Sequence, residues 1–391
     1  VRENGTVTRS EKPRVRELNL ARTLDEIRAV SEATITELIY ATGLSRPSVN
    51  SLVTALIDLG WVEAVTASSD GQEGRPPQRY RFNAGIGRLV GLDIGVHRVS
   101  AVLTDLSGVV IAGVTLDVDP SAEPSARLEV VDEVVDRLLA VASITPGEVW
   151  SVGAAVTGAV DAAGRTSMFS PMPRWGEVDL IGHLSHTFSC PVRVENDVKL
   201  ALLAEHSWGA VQGAQDVVYV LAGQRTGAAS MVNGRLVRGH GGAAGEIGAL
   251  PAVRWSIATE RFLHIPGMPE SLRESERAAW TFEQAQRSDP AAKKIVRKYA
   301  RDIATGAAAV ALTLDPQIVV IGGGSARWAS QWLPEFSAML NKSVVRMPEI
   351  RVSTMGGDHV ARGAVRMAMS EVERRLHGGT LLPAERPDAG R

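Results

Sequence analysis

One stretch of this chain leaves its backbone little choice. Residues 34–60, TITELIYATGLSRPSVNSLVTALIDLG, read as two short helices joined by a tight turn. Thr34 and Glu37 match the S/T-x-x-E spacing of a capping box, so a helix is expected to start at Thr34. Gly43 ends it, because a helix C-terminus favours the left-handed conformation that glycine tolerates. Ser45 then caps a second helix, and Pro47 sits in its first turn, where a missing N–H costs nothing. Val49, Leu52, Val53 and Leu56 recur at helical spacing as one buried stripe, and Gly60 stops the helix. Ser45, Arg46, Ser48 and Asn50 fall at its N-terminal end, off the stripe. The pattern is a helix-turn-helix whose second helix suits a DNA major groove. A helix pair that packs a core and binds nothing shares the same local pattern.

The flanks decide between the two. Residues 61–65, WVEAV, read as a strand and 66–77 as a polar turn rich in Gly and Pro. Arg79-Tyr80-Arg81-Phe82 alternates polar with apolar and reads as the return strand. This adds a wing, with Arg75 near its tip and Arg79 and Arg81 on its return arm. A first helix is expected from about 13 to 30, with Leu18, Leu24 and Ile27 inward. Residues 1–83 therefore read as a winged helix-turn-helix whose partner is double-stranded operator DNA. Arg46 and Asn50 suit guanine and adenine edges, while Ser45, Ser48 and the wing arginines suit phosphate or the minor groove.

Net charge on the 391 residues is −2, so the chain has no overall basic signature. Acids and bases also balance across residues 1–83, and DNA binding must rest on local patches helped by dimerisation. The single cysteine, Cys190, excludes an intrachain disulfide and any multi-cysteine zinc site. Neither a signal peptide nor an apolar run long enough to span a bilayer is evident, which points to a cytoplasmic protein with no membrane partner.

After a candidate hinge at Asn83-Ala84-Gly85 the texture becomes α/β. Strands are expected at 89–95, 99–104, 109–116, 149–156 and 192–194, with helices at 124–142 and 198–206. The pattern then restarts. A strand at 217–221 precedes a hairpin of 228–232 with 236–237 across Asn233-Gly234, a strong turn dipeptide. A helix over 290–313, a strand at 318–321, Gly322-Gly323-Gly324 opening a helix, a strand at 350–353 and a helix from about 360 to 376 follow. Two α/β halves of this kind enclose a cleft. The tail 377–391 has a disordered composition.

Several motifs are more specific. Asp93-x-Gly95 with Asp105-Leu-Ser-Gly108 resembles the first phosphate motif of the actin-like ATPase and sugar-kinase fold. Glu195-Asn196-Asp197 opening a helix, the Gly-rich run from Gly239 to Gly248 with Glu246, and Asp315-Pro followed by Gly322–Gly324 together resemble the ROK family (repressors, open reading frames and kinases). The resemblance covers about residues 14–375. It implies an α/β chain in which a winged helix-turn-helix precedes a two-lobed sugar-kinase domain over 84–376. Lobe one would take 84–197 with the helix 360–376, and lobe two 198–359. It also implies a sugar in the cleft. Asp197, beside Asn196, would take the position of a kinase general base, while Glu246 and Glu260 would contact the sugar. Carboxylates and amides suit a ring of hydroxyls.

This chain departs from the family pattern in three places. The zinc-ligand histidine position is Ala249, and residues 250–262 contain no cysteine, so no metal and no cofactor are expected. Pro171 stands where an asparagine would contact the sugar. The second phosphate loop reads Ala222-Gly-Gln-Arg-Thr-Gly227, with Gln224 and Arg225 adding bulk where backbone N–H groups would approach a phosphate. The leading expectation is a transcriptional regulator, a homodimer or tetramer, controlled by a sugar or sugar derivative. An ATP-dependent sugar kinase is the alternative, and a regulator that has lost its sugar is a third. Turn and helix capping would account for Asp93, Asp105 and Asp197 without any ligand.

Overall fold

The computed structural model describes residues 11–65, 77–166, 170–262 and 265–378. The chain opens with helix α1 (Glu11–Arg28), a short strand β1 (Ala33–Thr34), and helices α2 (Ile35–Thr42) and α3 (Arg46–Asp58). Strands β2 (Val62–Val65) and β3 (Arg79–Phe82) complete a small sheet of order β1-β3-β2. The local signals act as the residue types require. Glu37 Oε2 accepts from Thr34 N at 2.7 Å, and Thr34 Oγ1 accepts from Glu37 N at 3.3 Å, closing the capping box. Gly43 takes φ 70°, in the left-handed region. Ser45 Oγ accepts from Ser48 N to cap α3, and Val49, Leu52, Val53 and Leu56 are buried. Leu24 and Ile27 of α1 are buried, but Leu18 is exposed. Among the described side chains, burial on α1 begins at Ala21, so the first turns have no core to pack against.

The body is built from two five-stranded sheets. The first draws on β4 (Arg88–Ile94), β5 (Arg98–Thr104), β6 (Val110–Asp117), helix α4 (Pro124–Ala142), β7 (Val149–Val156), α5 (Leu180–Thr187) and β8 (Val192–Asn196). Helix α6 (Asp197–Trp208) leads to the second, with β9 (Val217–Leu221), β10 (Gly227–Val232), β11 (Arg235–Leu236), α7 (Trp255–Glu260), α8 (Glu274–Gln286), α9 (Pro290–Leu314), β12 (Ile318–Gly322), α10 (Ala329–Ser343) and β13 (Glu349–Val352). Helix α11 (His359–His377) closes the chain. The sheet orders are β6-β5-β4-β7-β8 and β11-β10-β9-β12-β13. Counted within each sheet, both follow the same order: an antiparallel meander of three strands with two parallel strands added beside the first. Asn233 (φ 50°) and Gly234 (φ 68°) make the tight β10–β11 turn. The parallel strands β4, β7, β8, β9 and β12 end toward one crevice, where ligands of open α/β sheets bind.

Helix α11 unites the molecule. Gly91 and Gly153 let it lie directly on β4 and β7, since a Cβ at either would meet the backbone of Ala361 or Ala364. Its later residues Val365, Ala368, Met369, Val372 and Leu376 join one buried cluster with Leu24, Ile27, Val53, Leu56 and Trp61 of the winged segment. Trp61 also meets Trp150 edge-on at 5.2 Å between ring centroids. The expected hinge at Asn83–Gly85 is therefore a packed joint. Asn83 donates from its backbone N to Trp61 O and from Nδ2 to Gly60 O, and Leu106 N donates to Ala84 O.

Other boundaries shift as well. The glycines Gly322–Gly324 lead into a short 3₁₀ turn, and α10 begins only at Ala329. His377, placed with the tail on composition, is the last residue of α11 and pairs with Asp25 at 2.7 Å. Helix α6 packs against α11 and against β9 and β10, so a boundary between lobes at 197/198 runs through contacts on both sides. Among the described residues no helix is long and apolar enough to cross a membrane.

Candidate functional site

At the N-terminus of α3 the polar residues stand free of packing. Ser45, Arg46, Ser48 and Asn50 are all exposed. Ser45 Oγ and Ser48 Oγ are 2.9 Å apart, and Arg46 Nη2 donates to Thr36 Oγ1 at 3.2 Å. The first turn of α3 has no acid, which leaves its positive dipole end open to an anion. Tyr40, 85% exposed on α2, is a neighbour that helical spacing gave no reason to single out. On the wing Arg79 is half-buried, whereas Arg81 is exposed and pairs with Glu63 across the strands at 3.1 Å. Arg75 lies outside the described residues.

In the body the crevice holds two adjoining cavities. The larger, about 470 Å³, is lined among others by Thr157, Asn196, Asp197, Glu246, Trp255 and Thr259. Asn196 caps α6, accepting from Lys199 N at 3.0 Å, and donates through Nδ2 to Gly158 O at 3.0 Å. Asp197 follows and aims its carboxylate into the cavity wall. Glu246 arrives on the Gly-rich segment, and burial followed by the nearby Asp197 raises its carboxyl above the usual range against the pull of Lys199. Lys199 is almost fully enclosed and donates to Gly242 O, bracing that segment on α6. Burial lowers the Lys199 ammonium, with Glu195 and Glu246 opposing. Pro171 and Ala249, the two departures from the family pattern, also line this cavity.

Glu260 does not join them. It is exposed at the end of α7, outside the lining, while Ser256 and Thr259 of the same helix face the cavity. The strand-end residue Thr157, the helix residues Ser256 and Thr259 and the buried Trp255 carry no periodic or motif signal. Only the fold brings them to Asp197.

The second cavity, about 370 Å³, is lined by Asp93, Gly95, Arg98, Gly323, Gly324 and His359 among others. Burial first, then Asp197, pushes the Asp93 carboxyl up to about 7, although Arg98 and Arg225 pull it down. Part of the Asp93 surface still faces the cavity. Asp105 is absent from the lining. Its Oδ1 accepts from Ser107 N (2.9 Å) and Val109 N (3.0 Å), so it anchors its own turn.

Arg225 stands between the cavities and lines both. It reaches from the 222–226 loop to pair with Asp197 at 3.3 Å. A third cavity of about 610 Å³ near β8 and α11 is lined by charges already paired, Arg238 with Glu195 and Arg193 with Glu371. His240 also lines it, away from Asp197.

Fold and site together define a two-lobed sugar-kinase-type body that carries a winged DNA-binding head. The ROK family model matches residues 89–371 and a MarR family model matches residues 20–73. The chain belongs to the ROK family. It is 28% identical over 235 residues to the xylose repressor of Bacillus spizizenii, and 27% identical over the same length to that of Bacillus subtilis. Each match covers 60% of this chain and 60% of the relative, so the chain spans less than two thirds of these curated relatives. A crystal structure of a ROK family transcriptional regulator superposes with TM-score 0.70 at 19% identity, covering 94% of this chain and 98% of that one. A ROK family glucokinase from Streptomyces griseus, in complex with glucose and AMPPNP, superposes with TM-score 0.61 at 23% identity over 73% of this chain and all of its own. At these identities the superpositions show the fold.

Proposed function

We propose that this chain is a DNA-binding transcriptional repressor, acting in the cytoplasm as a homodimer, whose operator affinity is set by a sugar-like ligand in the interlobe cleft. Residues 1–83 form the DNA-binding unit and 84–376 the ligand-binding unit. The observation that carries this reading is the free, polar N-terminus of α3 on a head that shares one buried core with α11. Helix α11 begins at the second cavity, with His359 and Val360 in its lining, and ends against α1. A ligand that prefers one arrangement of the lobes would thereby bias the head. Two relatives carrying the name xylose repressor favour the same class. Asn196, Asp197 and Glu246 would hold the ligand hydroxyls, with Thr157 and Thr259 beside them.

The kinase alternative meets Arg225. Its guanidinium occupies the passage between the cavities and engages the residue that would act as general base. A base already paired with a cation is poorly disposed to take a proton from a hydroxyl.

Fluorescence anisotropy on duplex DNA from upstream of the chain's own coding region tests the proposal. Selective binding should weaken by about 1–3 kcal/mol, roughly five- to 150-fold, in Arg46→Ala. Sugars should shift the curve without consuming ATP. Equal affinity for scrambled DNA, unchanged by Arg46→Ala, would sink the reading, and sugar-dependent ATP consumption would restore the kinase.

A further inference from the structure

The Asp197 carboxylate is fully engaged before any ligand arrives. Oδ1 accepts from Asn196 Nδ2 at 3.1 Å and Val198 N at 2.9 Å. Oδ2 accepts from Thr157 Oγ1 at 3.0 Å and Arg225 Nη2 at 3.3 Å. An ionised carboxylate has about four lone-pair sites, so a ligand hydroxyl can be accepted only if one donor leaves. Asn196, the buried N-cap, and Val198, in the first turn, are fixed at the start of α6, and Thr157 directly follows β7. Arg225 is the removable donor: it makes the longest of the four bonds, and its side chain is 38% exposed on a loop.

Its present grip is also poor. A guanidinium is a rigid fork best matched by a bidentate anion. Here one nitrogen reaches Asp197, and the enclosed Nη1 has no partner. A neutral sugar that displaced Arg225 would satisfy Asp197 but leave the guanidinium without its anionic partner. A ligand bringing its own anion would satisfy both.

We propose that the ligand of this cleft is an anionic monosaccharide derivative, a sugar acid or sugar phosphate, whose anion is held by the Arg225 fork while a hydroxyl takes the vacated place on Asp197. The inference rests on the reading of the cleft as a ligand site. The cavity of about 470 Å³ falls within the range of small-molecule pockets. Glu246 lines the same cavity beside Asp197, and Arg225 lines both adjoining cavities, so the guanidinium is the cation that an incoming anion meets there. The competing arrangement turns a displaced Arg225 toward Asp93, in which case neutral and anionic sugars bind alike.

Isothermal titration of the full chain at fixed ionic strength separates these outcomes. The ligands are glucose, glucuronate and glucose 6-phosphate, the matching galactose series, and xylose. At least one anionic sugar should bind about tenfold more tightly than its neutral parent. Whether carboxylate or phosphate wins identifies the source of the anion. Arg225→Gln should erase that preference and strengthen binding of the neutral parent, because Asp197 is freed; this gain cannot come from a misfolded variant. Arg225→Lys should keep part of the preference. Neutral sugars binding as tightly as both anions, or a preference untouched by Arg225→Gln, would overturn the inference and leave the sugar-responsive regulator standing. If no sugar of either charge binds, the ligand-site reading falls and takes the inference with it.

Discussion

The head and the cleft are built in opposite ways. The candidate DNA contacts of α3, Ser45, Arg46, Ser48 and Asn50, come from six consecutive positions and stand in solvent. Their geometry follows from one N-cap and one helix. The cleft gathers Asp93, Thr157, Asp197, Arg225, Glu246 and His359 from strand ends, helix starts and loops across the whole body. Its charges are partly buried, and Asp197 and Arg225 are bonded to each other. Recognition on the head can thus change with little cost to folding, while a change in the cleft disturbs both the ligand site and the packing that forms it.

The largest effect that would break this contrast is expected at Gly153. A side chain there meets the Ala364 backbone of α11, which cannot move without also leaving β4 and α6. Gly153→Val should cost about 3 kcal/mol or more in a urea titration followed by circular dichroism. Arg46→Ala should stay within about 0.5 kcal/mol of the parent in the same assay. A tolerated Gly153→Val would mean that α11 is not the rigid partner the packing implies.

The same contrast governs what could be read in advance. The capping box at Thr34 and Glu37, the left-handed Gly43 and the Ser45 cap are local, so sequence spacing located them. Both sheets were legible because their buried strands are short apolar runs bounded by turns. The helix expected after Gly322–Gly324 is α10, which starts later, at Ala329, and carries Pro334 in its interior; α8, with mostly polar residues, is absent from the sequence expectations. In the cleft, Asn196, Asp197 and Glu246 were reached through resemblance, but the motif match for Glu260 failed to foresee that Ser256 and Thr259 face inward instead. Leu18 has the right spacing for burial, yet among the described residues it is exposed. Arg225 was visible as bulk in a phosphate loop; its bond to Asp197 needs the three-dimensional approach of two segments 28 positions apart.

A smaller effect sharpens the electrostatic side of the comparison. The folded-state pKa of Asp93, about 7, lies above the unfolded value of about 4. The folded state therefore holds this proton more tightly. The associated stability is fully present below about pH 4 and is lost as pH rises through about 7. Asp93→Asn should remove that loss. In thermal melts from pH 4 to 8 the variant should gain on the parent as pH rises. Parallel stability curves would show that Asp93 ionises normally and that the cleft is less enclosed than its packing indicates.

A small change in stability is also expected where the two regions join, at Glu373. Its Oε1 accepts from Arg28 Nη2 at 3.0 Å, and its Oε2 accepts from both terminal nitrogens of Arg366 at 3.1 Å. These side chains are about a quarter exposed, so solvent screening holds the contribution to below about 1 kcal/mol. Glu373 nevertheless ties the C-terminal end of α11 to α1, while the N-terminal end of the same helix lines the second cavity. Glu373→Gln should leave the melting temperature and ligand-free operator affinity near those of the parent. The ratio of operator affinities with and without ligand should move toward one, because that ratio measures the coupling between cleft and head. An unchanged ratio would assign the coupling to the apolar core around Trp61, Val365 and Val372, which Glu373→Gln leaves intact. In that case the head and the cleft communicate through packing alone, and the ion pair only decorates their joint.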